Sequence, residues 1–168
     1  ELLENSIDSG ATQIDIFVDK GGIESIKVRD NGSGILCEDL QLALTQHATS
    51  KIVTSQDLES IASLGFRGEA LASINSVSKL SIISNTADQD HAWCIDSNNQ
   101  LSAAAHPIGT TVHMQDLFYN VPARRKFLRS ERTEYQHLEE VFRRIALSNF
   151  DIAFSLTNQN KLVKSLPI

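Results

Sequence analysis

Seven consecutive residues, Gly65-Phe66-Arg67-Gly68-Glu69-Ala70-Leu71, set two glycines around an arginine just ahead of a helix-forming run. Glycine lets the backbone turn so that neighbouring N–H groups face one point, and a helix starting there adds the positive end of its dipole. That combination is a cradle for an anion. Three further fragments complete a nucleotide site around it: Glu1 with Asn5, Asp30-x-Gly32-x-Gly34, and Gly109-Thr110.

Each fragment has its own chemistry. Glu1 and Asn5 stand one helical turn apart. A carboxylate and an amide so spaced can hold a water and a hard cation together, the carboxylate taking the water's proton and the amide oxygen ligating Mg²⁺. The same spacing also describes an ordinary solvated helix face. Asp30 can accept a hydrogen bond from an adenine amino group, while Gly32 and Gly34 let the backbone pass close to a flat base. A plain Asn-Gly turn at a strand end has the same composition. Thr49, Ser50 and Lys51 offer two hydroxyls and a cation suited to phosphate oxygens, in a composition common to many loops. Thr110 shares a strand face with Val112 and Met114. If that face is the core, its hydroxyl lies near the base that Asp30 would hold. Neither a Gly-x4-Gly-Lys-[Ser/Thr] loop nor a Gly-x-Gly-x-x-Gly turn occurs, so a nucleotide site here is built differently from those two types.

Hydrophobic periodicity supplies the elements that must carry these residues. Leu3 and Ile7 give Glu1 to about Ser9 a helical stripe, with Glu1 and Asn5 on another side, and Gly10 is a stop signal. Ile14, Ile16 and Val18 alternate as a strand, Lys20-Gly21-Gly22 reads as a hairpin turn, and Ile26, Val28 and Asp30 alternate on the next strand. The period that buries Ile26 and Val28 carries Asp30 to the core face, where a carboxylate needs partners. A short helix is expected over 38–45, a mobile polar loop over 46–66, a helix over 68–76 and a strand over 77–84. Weaker strand signals surround Trp93 and Leu101. Strands are expected at 110–114 and 152–156. The clearest helix, 131–148, has Tyr135, Leu138, Phe142 and Ile145 as its apolar stripe. Helices and strands in this order predict an α+β sandwich with a largely antiparallel sheet.

Bulk properties bound the function. The chain has 168 residues, 41% of them apolar, and a domain of that size buries roughly 70% of its unfolded surface. The net charge of −6 confines any nucleic-acid contact to a local patch. Such a patch is the basic run Arg124, Arg125, Lys126 and Arg129, interleaved with Phe127 and Leu128. Arg143 and Arg144 instead match Glu139 and Glu140 along a helix face. Cys37 and Cys94 are far apart without metal-like spacing, which suits a reducing compartment. His47 and His106, near the candidate segments, read as structural. No apolar run has the length of a membrane span. The chain begins at Glu, which reads as a fragment of a longer protein.

Taken together, the fragments resemble the ATPase domain of the MutL family of DNA mismatch-repair proteins, within the GHKL superfamily. An Asn-bearing helix, an Asp-x-Gly-x-Gly element and a glycine-bearing turn are shared by the superfamily. Three stretches point to MutL within it: His47-Ala48-Thr49-Ser50-Lys51, the run Gly65 to Leu71, and Leu117-Phe118-Tyr119-Asn120-Val121-Pro122-Ala123-Arg124-Arg125-Lys126-Phe127-Leu128. The resemblance spans essentially the whole chain, 1–168, as one ATPase domain. It implies a Bergerat ATP-binding α/β sandwich, a mixed, mostly antiparallel sheet with helices on one face. It implies ATP and Mg²⁺ as cofactors. Glu1 would be the general base and Asn5 the Mg²⁺ ligand. Asp30 would bind the adenine amino group with help from Thr110, and Thr49, Ser50 and Lys51 would lie in the ATP lid. Gly65, Phe66, Arg67, Gly68, Glu69, Ala70 and Leu71 would wrap the triphosphate, chiefly through main-chain N–H groups. The implied partners are a second copy of the parent, mismatch-sensing and downstream repair proteins, and DNA, with no membrane. The implied location is the bacterial cytoplasm, at the nucleoid, in preference to a nucleus. Against the family pattern, the stretch before Glu1, a lysine-bearing second subdomain and a C-terminal dimerisation domain are missing, and the stretch between Trp93 and His106 is short. A non-hydrolysing, nucleotide-gated interaction module and the ATPase domain of another GHKL protein are the competing expectations.

Overall fold

The alternating apolar residues of the first two strands decide the layout of the sheet. The computed structural model describes residues 1–44 and 70–168. In it β1 (Gln13–Asp19) and β2 (Ser25–Asp30) run antiparallel, with Ile14 opposite Asp30, Ile16 opposite Val28 and Val18 opposite Ile26. Because side chains alternate with a period of two, this register puts all six on one face. The remaining strands among the described residues are β3 (Lys79–Asn85), β4 (Ala92–Ile95), β5 (Leu101–Ala104), β6 (Gly109–Gln115), β7 (Ala153–Asn158) and β8 (Lys161–Leu166). They join one eight-stranded sheet in the order β5-β4-β3-β6-β2-β1-β7-β8. All neighbours are antiparallel except β1 and β7, which run parallel. The expected mixed, mostly antiparallel sheet is therefore the observed one.

Helices cover the apolar face in two groups. On one half, α1 (Leu2–Asp8) and α5 (Glu131–Leu147) pack on Ile14, Ile16, Val18, Val28, Phe154 and Leu156. The stripe Tyr135, Leu138, Phe142 and Ile145 faces this core, as its spacing predicts. On the other half, α2 (Cys37–Ala43) and α3 (Ala70–Val77) bring Leu40, Leu71 and Ile74 against Leu80, Ile82, Ile95, Val112 and Met114. Ile14, Leu40, Ile82, Ile95 and Leu156 have no exposed surface, and burying such a side chain is worth roughly 1.5–3 kcal/mol. Leu2 and Ile26 touch both clusters, so the seam between them crosses β2, the strand whose last residue is Asp30.

The opposite face is polar. Lys27 lies 4.5 Å from the centre of the Phe17 ring, and the Ser25 hydroxyl is 3.1 Å from Nε2 of His113. Burial, then the nearby Lys27 charge, hold the His113 imidazole below its ordinary range.

Several boundaries differ from the periodicity for identifiable reasons. Val77, expected to open a strand, ends α3 instead. The carbonyl of Val77 accepts from Phe118 N–H at 2.7 Å and that of Ser76 from the Asn120 amide at 2.9 Å, so the helix end is satisfied from a distant loop. Lys20-Gly21-Gly22 forms the expected hairpin connection between β1 and β2, as a 3₁₀ turn. Gly21 there has φ +66° and presses on the backbone of Glu131, at the start of α5. A short helix, α4 (Pro122–Arg125), was not expected, although Pro122 at its first turn is a start signal. Glu139 pairs with Arg143 at 3.6 Å and also with Lys164 at 3.4 Å. Among the described residues no ion pair joins Glu140 to Arg144.

One glycine after β2 has a sharp structural requirement. Gly34 has φ +80°, and a Cβ there would collide with the carbonyl oxygen of Asn85. Gly34→Ala is expected to lower stability by about 1–3 kcal/mol, read as a fall in the urea midpoint at unchanged slope. An unchanged midpoint would show that the loop relaxes freely.

Candidate functional site

Asp30 is only 7% exposed, and a carboxylate so placed is costly unless donors surround it. Three do. Oδ2 accepts from the Ser6 hydroxyl at 2.9 Å. Oδ1 accepts from Gly32 N–H at 3.0 Å and from Thr110 N–H at 3.2 Å. A carboxylate has about four acceptor positions, so among the described residues one on Oδ2 has no protein donor. An amino group reaching it would complete the shell.

The glycines expected around a base also meet close protein neighbours. A Cβ on Gly32 would run into Ser9, whose side-chain Cβ would lie at 2.8 Å and carbonyl oxygen at 2.9 Å. The Ser9 carbonyl also accepts from Ser33 N–H at 3.0 Å. Gly109, at φ +125°, lies on the backbone of Asp30 and Asn31. The Asn31 side chain accepts from Thr12 and Gln13 N–H, each at 2.9 Å. Gly32, Gly34 and Gly109 thus lock α1, β3 and β6 around Asp30.

Two residues that the sequence reading passed over complete this core. Ser6 is buried on α1 and anchors Asp30. Ser84 has no exposed surface. Its Oγ is 2.8 Å from Ile35 N, 3.1 Å from the Gly109 carbonyl and 2.8 Å from Thr110 Oγ1. A signal for Ser84 was present, since Leu80, Ile82 and Ser84 alternate on one face and a hydroxyl at a core position demands partners. Ser6 had none beyond its place next to Asn5.

Helix α1 carries the other end of the site. Asn5 N–H donates to the Glu1 carbonyl at 2.9 Å, which sets the two residues one turn apart, and Ser6 follows directly. Glu1 is the N-cap of α1 without a side-chain capping bond, and its side chain is 64% exposed. The structure therefore brings Glu1, Asn5, Asp30, Gly32, Gly34 and Thr110 into one region. Ala70 and Leu71 begin α3, and the Leu71 side chain packs into the second core cluster. Thr49, Ser50 and Lys51, Gly65, Phe66, Arg67, Gly68 and Glu69, the expected 46–66 loop and His47 lie outside the described residues. His106 is held at both ring nitrogens, by the Pro107 carbonyl and the Thr111 hydroxyl, each at 2.7 Å, in keeping with a structural role. Arg124, Arg125, Lys126 and Arg129 are all exposed, as is Phe127 at 85%. Among the described residues no ion pair neutralises those four cations. No described helix is long and apolar enough to cross a membrane.

Comparison with known proteins adds an independent line. A family model for the histidine kinase-, DNA gyrase B-, and HSP90-like ATPases matches residues 1–120. The DNA mismatch repair protein MutL of Proteus mirabilis (strain HI4320) is 59% identical over 98% of this chain and 25% of its own length. That of Escherichia coli O9:H4 (strain HS) is 56% identical over 98% of this chain and 28% of its own. The chain thus spans about a quarter of the length of these relatives. Among solved structures, the Aquifex aeolicus MutL ATPase domain complexed with ADP superposes with a TM-score of 0.75 at 31% identity, over 99% of this chain and 60% of that one. The N-terminal domain of a DNA repair protein does so with a TM-score of 0.79 at 34% identity, over 98% and 51%.

Proposed function

The chain belongs to the histidine kinase-, DNA gyrase B-, and HSP90-like ATPase family, as a MutL-type ATPase domain, and on that premise we propose that it serves as the ATP-driven switch of a DNA mismatch-repair protein. The observation that carries this reading is the buried Asp30 carboxylate, three of its acceptor positions filled and one without a donor among the described residues, beside the helix that bears Glu1 and Asn5. The ADP bound by the related Aquifex aeolicus domain supports a nucleotide as the ligand.

In this reading residues 1–168 are one ATPase domain. Asp30 grips the adenine amino group, with Thr110 beside it. Gly32 and Gly34 shape the wall near the base. Glu1 takes the proton of the attacking water. The Asn5 amide oxygen, on a half-buried side chain in the middle of α1, is a hard donor and fits Mg²⁺, which would supply charge neutralisation at the phosphates when bound. Thr49, Ser50 and Lys51 close over the phosphates, and Gly65, Phe66, Arg67, Gly68, Glu69, Ala70 and Leu71 surround the triphosphate. ATP would engage the lid and favour pairing of two copies, and hydrolysis would reset the pair, a switch biased by the γ-phosphate. Mismatch-sensing and downstream repair proteins would read the paired state in the bacterial cytoplasm, at the nucleoid.

Titrating a non-hydrolysable ATP analogue with Mg²⁺, while following affinity and mass together, tests the reading. Saturable binding with a rise to dimer mass is expected. Binding without any mass change would remove the dimerisation step, and no binding would remove the function. We further propose that Arg124, Arg125, Lys126 and Arg129 contact DNA phosphates. Reversing Arg124 and Lys126 to Glu is expected to weaken DNA binding across sequences and to lower the slope of log affinity against log salt by about 0.9 per lost phosphate contact. An unchanged slope would place DNA elsewhere.

A further inference from the structure

We propose that Ser84 is a specificity-determining, positioning residue: it fixes the Thr110 hydroxyl as a hydrogen-bond acceptor toward the base and so sharpens the preference for adenine over guanine. The inference rests on the nucleotide reading above and goes one residue deeper than the side chains that reading assigns to the base.

The number of available protons fixes the direction of these hydrogen bonds. A serine hydroxyl has one proton to give and two lone pairs to receive. Ser84 Oγ has three neighbours within hydrogen-bond distance. Ile35 N–H, at 2.8 Å, can only donate to it. The Gly109 carbonyl, at 3.1 Å, can only accept from it. Thr110 Oγ1, at 2.8 Å, can do either. If Ser84 gives its single proton to Gly109, every contact is used only when Thr110 donates to Ser84. The opposite assignment leaves the Gly109 contact without a proton. Ser84 has no exposed surface and Thr110 is 6% exposed, so bulk water does not compete for these protons. With its proton committed to Ser84, Thr110 Oγ1 presents only lone pairs to the pocket.

Asp30 stands directly beside it, since Thr110 N–H donates to Asp30 Oδ1 at 3.2 Å. The Asp30 position without a donor among the described residues is also an acceptor. Two acceptors side by side match the edge of adenine, whose C6 amino group carries two hydrogens and whose N1 can be reached through a bridging water. Guanine turns its O6 to the same place, where it meets lone pairs from both residues. Were Thr110 free to rotate, it could give its proton to O6 and relieve half of that conflict. Ser84 removes this option. The hydrogen bonds to Ile35 and Gly109 also tie the segment behind Gly34 to the start of β6, which keeps Thr110 in place.

The test measures the affinities of non-hydrolysable ATP and GTP analogues, with Mg²⁺, for the protein and its variants. Ser84→Ala is expected to lower the ATP-to-GTP affinity ratio by about threefold to tenfold, the worth of one hydrogen bond. In a Thr110→Val background the same substitution should leave the ratio unchanged, because the hydroxyl it releases is gone. A merely structural role would not show that dependence. Should Ser84→Ala fail to fold, Ser84→Cys, near in size but a poor acceptor, carries the same expectation. A ratio held at the wild-type value in both variants overturns the inference, as does an equal drop with and without the Thr110 hydroxyl. Loss of the nucleotide reading looks different: the unsubstituted protein would bind neither analogue, or Asp30→Asn would bind ATP as well as before.

Discussion

Glu1→Ala is expected to bind ATP as tightly as the unsubstituted protein and to lose hydrolysis by about 10²–10⁴-fold, the usual contribution of a general base. The structure makes this a clean substitution. The Glu1 side chain is 64% exposed and makes no capping bond to α1, so its removal costs little packing and no cap. The base-binding end of the site is held by Ser6, Gly32 and Thr110, which the substitution leaves alone. Binding and chemistry should therefore separate. Glu1→Gln sharpens the point, because an amide of the same size cannot take a proton from water. Single-turnover hydrolysis alongside analogue titration reads both quantities. Unchanged turnover in the two variants would take Glu1 out of the mechanism, and parallel loss of binding would make it a binding residue.

Asp30→Asn should act at the opposite end, abolishing tight ATP binding and with it turnover. The carboxamide has one oxygen where the carboxylate has two. Its favourable orientation points that oxygen at the Gly32 and Thr110 N–H groups, which together demand an acceptor. The NH₂ then occupies the place of Oδ2, beside Ser6, and turns a donor toward the adenine amino group. Donor meets donor at the position where the account requires an acceptor. A hydrogen bond to a charged group is worth about 1.5–3 kcal/mol, so affinity should fall by roughly 10–150-fold. Isothermal calorimetry with the ATP analogue measures it, and circular dichroism establishes that the variant still folds. Undiminished affinity in a folded variant would refute the adenine role of Asp30.

Much of this architecture could be read from single residues. Ile14, Ile16 and Val18 announced β1, and the Tyr135–Ile145 stripe announced α5, because a face that must be buried leaves a period in the sequence. Asp30 was conspicuous for the same reason: a carboxylate fell where the period called for an apolar side chain. β8 left no such trace. Its Leu162 and Val163 are exposed neighbours rather than alternating core residues, so nothing in the pattern distinguished it from a loop. The end of α3 was misplaced because its carbonyls are satisfied by Phe118 and Asn120, contacts that cross about forty residues of chain and that no local propensity encodes. The glycines near Asp30 also make room for Ser9, Asn85 and the Asp30 backbone, neighbours that lie far off in the chain. Composition showed that space was needed there but not what fills it. Ser6 and Ser84 are small, common residues whose importance arises only from what the fold sets against them.

The most direct measurement is a crystal structure of the protein with a non-hydrolysable ATP analogue and Mg²⁺. The account predicts the adenine amino nitrogen within hydrogen-bond distance of Asp30 Oδ2, with the Ser6 bond intact and the phosphates running toward Asn5. A base bound away from Asp30, or an Asp30 carboxylate whose fourth position stays empty while the nucleotide sits elsewhere, would contradict it.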